Sequence, residues 1–160
     1  MSDASLDRTS PIVVSVNDYL SLINTPPQET QTRLRKLAEA LDTLVWTYNG
    51  TSDVDADDNG LDAPKVDYRS IYESVGAAFP ELGYYAQVDP IEGLEQSIGL
   101  ADAIDDLADI AKDLKEVLWH VEHNTASNAI WEFRFGYQTH WGTHLHRLRG
   151  YLHTSTIAAW

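Results

Sequence analysis

A chain of 160 residues with 43% apolar content and a net charge of −14 reads as one globular domain that phosphate backbones and anionic lipid would repel. It has no cysteine, which excludes disulfides and thiolate metal sites and fits a reducing, cytoplasmic setting. No run approaches the roughly 20 apolar residues of a membrane span, and the start Met1-Ser-Asp-Ala-Ser5 has no basic-then-apolar leader pattern, so neither nucleic acid nor a membrane is the expected partner.

Residues 1–9 read as a solvated tail. Ser10-Pro11 is an N-cap followed by proline at the first helical position, and Ile12, Val13, Val16, Tyr19, Leu20 and Ile23 continue at helical spacing. Thr25-Pro-Pro-Gln28 gives a second start, a capping threonine with glutamine three residues on. From there Leu34, Leu37, Leu41, Leu44 and Val45 predict a helix to about residue 48, stopped by Asn49-Gly50. Residues 50–65 are an acidic loop. Asp55, Asp57, Asn59 and Gly60 match the opening of a calcium loop, but Val66 stands where a closing glutamate belongs, and a hydrated loop is the simpler reading.

Asp67 is placed to cap the next helix, with Tyr68, Ile71, Tyr72, Val75 and Phe79 inward and Pro80 ending it. Residues 81–88 form a connector whose tyrosines pack back on the bundle, and Asp89-Pro90 opens a short turn. From about Ile98 to His123 the period is the most regular in the chain. Leu100, Ile104, Leu107, Ala111, Leu114, Leu118 and Val121 form the apolar stripe, and Asp102, Asp106, Asp109, Asp113, Glu116 and His120 the opposite row, with Asp105 on one flank. After a turn at 124–128, the last segment predicts one continuous helix to about 153. It has an apolar stripe (Ile130, Trp141, Leu145, Leu148, Leu152) and an aromatic-polar stripe beside it (Phe133, Tyr137, His140, His144, Arg147, Tyr151). Residues 156–160 are an apolar tail that would cover the bundle or reach a second copy. The expected fold is all-α: a single-domain, up-and-down bundle of about five helices.

Three stretches resemble a bacterial family known only as domain-of-unknown-function family 5063. They are Tyr68-Arg-Ser-Ile-Tyr72 with Phe79-Pro-Glu-Leu-Gly-Tyr-Tyr85, Asp102-Ala-Ile-Asp-Asp-Leu-Ala-Asp-Ile110 with Asp113-Leu114, and Tyr137-Gln-Thr-His-Trp-Gly-Thr-His-Leu145. Ala101 departs from the family pattern, which has glycine there. The resemblance implies an all-helical cytoplasmic domain and carries no activity with it.

The residues supply the chemistry. His140 and His144 stack on one helical face and could share a metal ion, although Trp141 occupies the place of a zincin's glutamate base. Glu116, His120 and His123 are a second set of ligand types. Asp105-Asp106-Leu-Ala-Asp109 spells a diphosphate-magnesium string, but the Asp102/Asp106/Asp109/Asp113 row lies opposite the leucines and reads first as a solvated face. In a third reading Asp105 reaches His140, His144 or Arg147, giving a buried network that sets helix register and senses acid. Gly136 and Gly142, each costing about 1 kcal/mol within a helix, demand a close approach to the backbone.

The sequence therefore ranks first a small acidic binding or interaction module without catalysis. Its recognition surface lies at Tyr137, His140, Trp141, His144, Arg147 and Asp105, and no cofactor is called for. The alternative is a divalent-metal-dependent phosphoester or nucleotide hydrolase, with ligands among His140, His144, Asp102, Asp106 and Asp109. The partner is a protein, a small molecule or a second copy in a homodimer.

Overall fold

The computed structural model describes residues 6–157, so most of the residue 1–9 tail and of the apolar end at 156–160 lie outside the described residues. Helix α1 (Pro11–Asn24) starts as its signals require: the Ser10 hydroxyl accepts from the Val13 amide and Pro11 sits in the first turn. Helix α2 (Thr30–Gly50) begins later than Thr25, with Glu29 as its cap, accepting from the Gln31 and Thr32 amides at 2.9 and 2.6 Å. A residue before proline is pushed out of the helical region. Thr25 closes α1 instead, its amide bonded to the Ser21 carbonyl. Arg33 then ties the non-helical link down, donating to the Pro27 and Gln28 carbonyls and to Glu81.

The acidic loop carries no regular structure, but it is held to the turn at 124–128. The Asp57 amide donates to Asn128 Oδ1, Thr125 Oγ1 donates to the Asp57 carboxylate, and Asn59 Nδ2 donates to Asn124 Oδ1. Two of the residues that match a calcium loop thus spend polar atoms on the protein surface. Helix α3 (Tyr68–Ala78) is capped by Asp67 and buries Ile71 and Val75, with Phe79 buried just past its end.

Two departures from the expected helices follow. The chain forms a small antiparallel hairpin, β1 (Tyr84–Gln87) with β2 (Gly99–Asp102), where the sequence shows no strand and where the next helix was expected to start at Ile98. Helix α4 runs Ala103–His123, capped by Asp102 through the Ile104 amide. Leu100, read as the first residue of the buried stripe, is on β2 and exposed. Gly99 weakens a helix there and fits the strand: a Cβ at Gly99 would stand 3.3 Å from the Gln87 carbonyl oxygen.

The last segment is not one helix. It breaks at His140 (φ −144°, ψ −83°) into α5 (Ala126–Thr139) and α6 (Trp141–Leu152), followed by a π-helical turn, His153–Ile157. The two glycines explain the break. A Cβ at Gly142 would lie 2.2 Å from the Tyr137 carbonyl oxygen, and one at Gly136 would lie 2.8 Å from two atoms of the Trp141 indole. The close approach that compensates for glycine comes from the chain's own next turn. Among the described residues the fold is thus an all-α bundle of six helices with one small hairpin. Helix α4 is its axis, touching α1, α3, α5 and α6, and no described helix is long and apolar enough to cross a membrane.

Alanine substitution separates these glycines. Gly142→Ala and Gly136→Ala should each lower stability by about 1–3 kcal/mol through overpacking, despite alanine's better helix propensity. Gly150, whose Cβ would meet nothing within 4 Å, should instead gain up to about 1 kcal/mol as alanine. Urea midpoints measure all three.

Candidate functional site

A helix covered on one side buries one stripe, but α4 is covered nearly all round, so its polar row faces protein. Asp106 and Asp113 are buried at 4% and 8% exposure, against the expectation of a solvated face. Each buried carboxylate has acquired donors, as desolvation demands. Asp106 accepts from His144 Nδ1 at 2.8 Å and from the Tyr85 hydroxyl. Asp113 accepts from His140 Nδ1 at 2.6 Å and from Lys112 Nζ at 2.9 Å. On antiparallel helices the pairs run in opposite order, 140 with 113 and 144 with 106.

The rest of the row is partnered one residue at a time. Asp102 accepts from the Tyr72 hydroxyl at 2.7 Å, and Asp105 from the Tyr68 hydroxyl. Asp105 was expected to meet His140, His144 or Arg147; its position on the flank turns it to α3 instead. Within the Asp105-Asp106-Leu-Ala-Asp109 string, Asp105 is thus turned to Tyr68 while Asp106 and Asp109 face the two sides of His144, so the three make no single diphosphate face. Burial, reinforced by the Asp105 bond, raises the pKa of Tyr68. Tyr85 is raised by burial and by its Asp106 bond, with Arg147 pulling the other way. The bond to Asp102 is the main cause of Tyr72 being pushed up to about 12. All three phenols therefore stay donors to their carboxylates.

Asp109 is different. Among the described residues no side chain donates a hydrogen bond to it, and two imidazole nitrogens face it: His144 Nε2 at 3.5 Å and His140 Nε2 at 4.0 Å. A carboxylate only accepts, so the Nδ1 atoms bound to Asp106 and Asp113 carry the protons. In the neutral rings both Nε2 atoms then present lone pairs toward a third acceptor. That arrangement is repulsive, and a proton on the rings or a cation among the three relieves the repulsion. The ligand atoms of Asp109, His140 and His144 all fall within 4.8 Å of one another. Two ligands each about 2.1 Å from one ion are separated by roughly 3.4 Å at a tetrahedral angle. Hydrogen bonding of the far ring nitrogen to a carboxylate is the arrangement that orients histidines toward metals. Burial raises the Asp109 pKa, with the two histidines opposing it. The Asp106 bond raises that of His144. The set opens outward on the His140 side, whose side chain is 42% exposed against 19% for His144.

The other expected site residues scatter. Trp141 is fully buried against Phe133, and its Nε1 is the buried side-chain polar atom without a hydrogen-bond partner among the described residues. Tyr137 stacks on Tyr48 at 3.8 Å and bonds His146. The break at His140 resets the helical register, turning Tyr137 toward α2 while His140 and His144 turn toward α4. Arg147 stays near the site, half-buried, with no ion pair among the described residues. Glu116, His120 and His123 do not converge: Glu116 faces Lys112, His120 bonds Asn124, and His123 bonds the Trp119 carbonyl. Sequence reading also missed the donors Tyr68, Tyr72 and Tyr85, for which side-chain type alone gave no signal.

The chain matches, over residues 6–157, the family described as Domain of unknown function (DUF5063), and it belongs to that family. Among curated proteins and solved structures, nothing matches it.

The His144–Asp106 pair predicts a sign for pH dependence in metal-free protein. A histidine pKa raised by folding contributes stability that is complete below the unfolded value of about 6.5 and is lost as pH rises through the folded value. His144→Ala should therefore cost about 1–3 kcal/mol at pH 6 and clearly less at pH 9. Urea titrations in chelator at both pH values check this, and equal losses would contradict the ion pair.

Proposed function

We propose that this domain binds one divalent transition-metal ion through Asp109, His140 and His144 and acts on a phosphate-bearing small molecule, as a phosphoester or nucleotide hydrolase would. The carrying observation is the convergence of two imidazole Nε2 atoms on Asp109, the one aspartate of the row to which no side chain among the described residues donates a hydrogen bond. Two nitrogens and one carboxylate suit zinc, manganese or ferrous iron and leave coordination positions open. A divalent ion so held supplies Lewis acidity to an anionic substrate.

The protein's own residues have separable parts in this reading. Asp106 and Asp113 hold the imidazoles in the tautomer that ligation needs. Tyr85 gives Asp106 a second hydrogen bond, and Lys112 balances the charge of Asp113. Arg147, one turn beyond His144, is a cation beside an acidic row and is available to a phosphate oxygen. The interaction-module reading is weaker for the surface on which it was built, since Trp141 lies in the core and Tyr137 is engaged by α2.

Zinc or manganese added to chelator-stripped protein should bind one ion per chain and raise Tm. The shift should grow from pH 6 to pH 8, because protons compete for the same Nε2 atoms. Asp109→Asn and His144→Ala should abolish it, whereas Asp105→Asn, whose residue is turned to Tyr68, should retain it. Metal-dependent cleavage of a chromogenic phosphoester, lost in Asp109→Asn, would then establish catalysis. Wild-type binding by Asp109→Asn would overturn the ligand set.

A further inference from the structure

We propose that the outward face of the β1–β2 hairpin docks an extended segment of another protein, apolar along one side and basic at its margins. This inference does not depend on the metal proposal. The register pairs Tyr84 with Asp102 and Ala86 with Leu100. Side chains on a strand alternate between faces, so Tyr84, Ala86 and Leu100 share one face while Tyr85 takes the other. The inner face is occupied: Tyr85 stacks on Tyr151 at 4.7 Å and bonds Asp106. The outer face is engaged only at one end, where Asp102 accepts from the Tyr72 hydroxyl and the Ile104 amide. Tyr84 and Leu100 are exposed on it, as are Val88 and Ile98 just beyond the strand ends.

The tip continues the pattern, with Ile91 90% and Leu94 102% exposed. Single exposed apolar side chains are ordinary, but six large ones between residues 84 and 100 make a patch of the kind that marks an interaction site. The tip is also built rather than slack. Gln96 donates to the Asp89 and Gly93 carbonyls at 2.6 and 2.9 Å and accepts from the Asp89 amide at 2.8 Å. Gly93 supplies the positive φ of 82°. A turn closed by its own hydrogen bonds holds Ile91 and Leu94 outward before any partner arrives, which lowers the ordering cost of binding.

Charge selects the partner. From Ser70 to Ala111 the sequence contains no lysine or arginine, and the hairpin's charged side chains are Asp89, Glu92, Glu95 and Asp102. A second copy would set acid against acid, and an anionic membrane would be repelled in the same way. Basic residues flanking an apolar centre complement the patch.

The test uses the full chain and fluorescently labelled peptides of about 10 residues, alternating valine with lysine, serine with lysine, or valine with glutamate. The valine–lysine peptide should bind, and the other two should bind at least about tenfold more weakly. The triple variant Ile91→Ser, Leu94→Ser, Leu100→Ser should lose at least about tenfold in affinity with its circular dichroism unchanged. Glu92→Gln with Glu95→Gln should weaken binding and flatten its salt dependence. Equal binding of the serine–lysine peptide, or wild-type affinity in the triple variant, would overturn the proposal. So would a dimer in light scattering that the triple variant dissolves, because the face would then be a contact between copies.

Discussion

Two buried carboxylates on the central helix, Asp106 and Asp113, are the constraint around which this bundle is arranged. An ionised carboxylate in a protein interior is costly unless hydrogen bonds compensate. Here each is answered by an imidazole, His144 from α6 or His140 from the break just before it, and then by a second donor, Tyr85 from β1 or Lys112 from α4 itself. These bonds join three stretches far apart in sequence. They fix the α4–α6 register in a way that leucine contacts alone do not, because an apolar interface tolerates sliding and a hydrogen-bond pair does not.

Chemistry follows from the same arrangement. Using up the Nδ1 protons leaves both Nε2 atoms as acceptors, and the helical offset of one turn brings them to Asp109 together. Asp109 is thus set apart from its neighbours by what it lacks. The break at His140 contributes as well: it rotates α6 relative to α5, so that the histidine pair meets α4 while Tyr137 meets Tyr48. The sharp approach at Gly142 permits that rotation. A continuous helix would have carried Tyr137 and His140 on the same side.

The hairpin between α3 and α4 has two unlike faces. Its inner face supports the buried network through Tyr85, and its outer face is apolar, acidic-rimmed and exposed. Anything that seats on the outer face lies one strand's thickness from the carboxylate row.

Much of the bundle was legible in the residues themselves. Ser10-Pro11 and Asp67 mark helix starts, and Asn49-Gly50 and Pro80 mark ends. The leucine spacing of α2 and α4 follows directly from the 3.6-residue period, because caps and periodicity are local physics. The glycines at 136 and 142 also announced a close approach, and the His140/His144 pair was visible as an i, i+4 match. Three things were not legible. Strand pairing at 84–87 and 99–102 depends on two segments finding one another, and neither alternates strongly alone. The break at His140 reflects the packing of Trp141 against Gly136, a contact between helices. The fate of the aspartate row turned on how many neighbours α4 has: with one covered face it would be solvated, and with nearly all faces covered it becomes a buried site. Sequence determined which residues could share a helical face. Only the tertiary structure decided what each face meets, because burial and partner choice are set by the other helices.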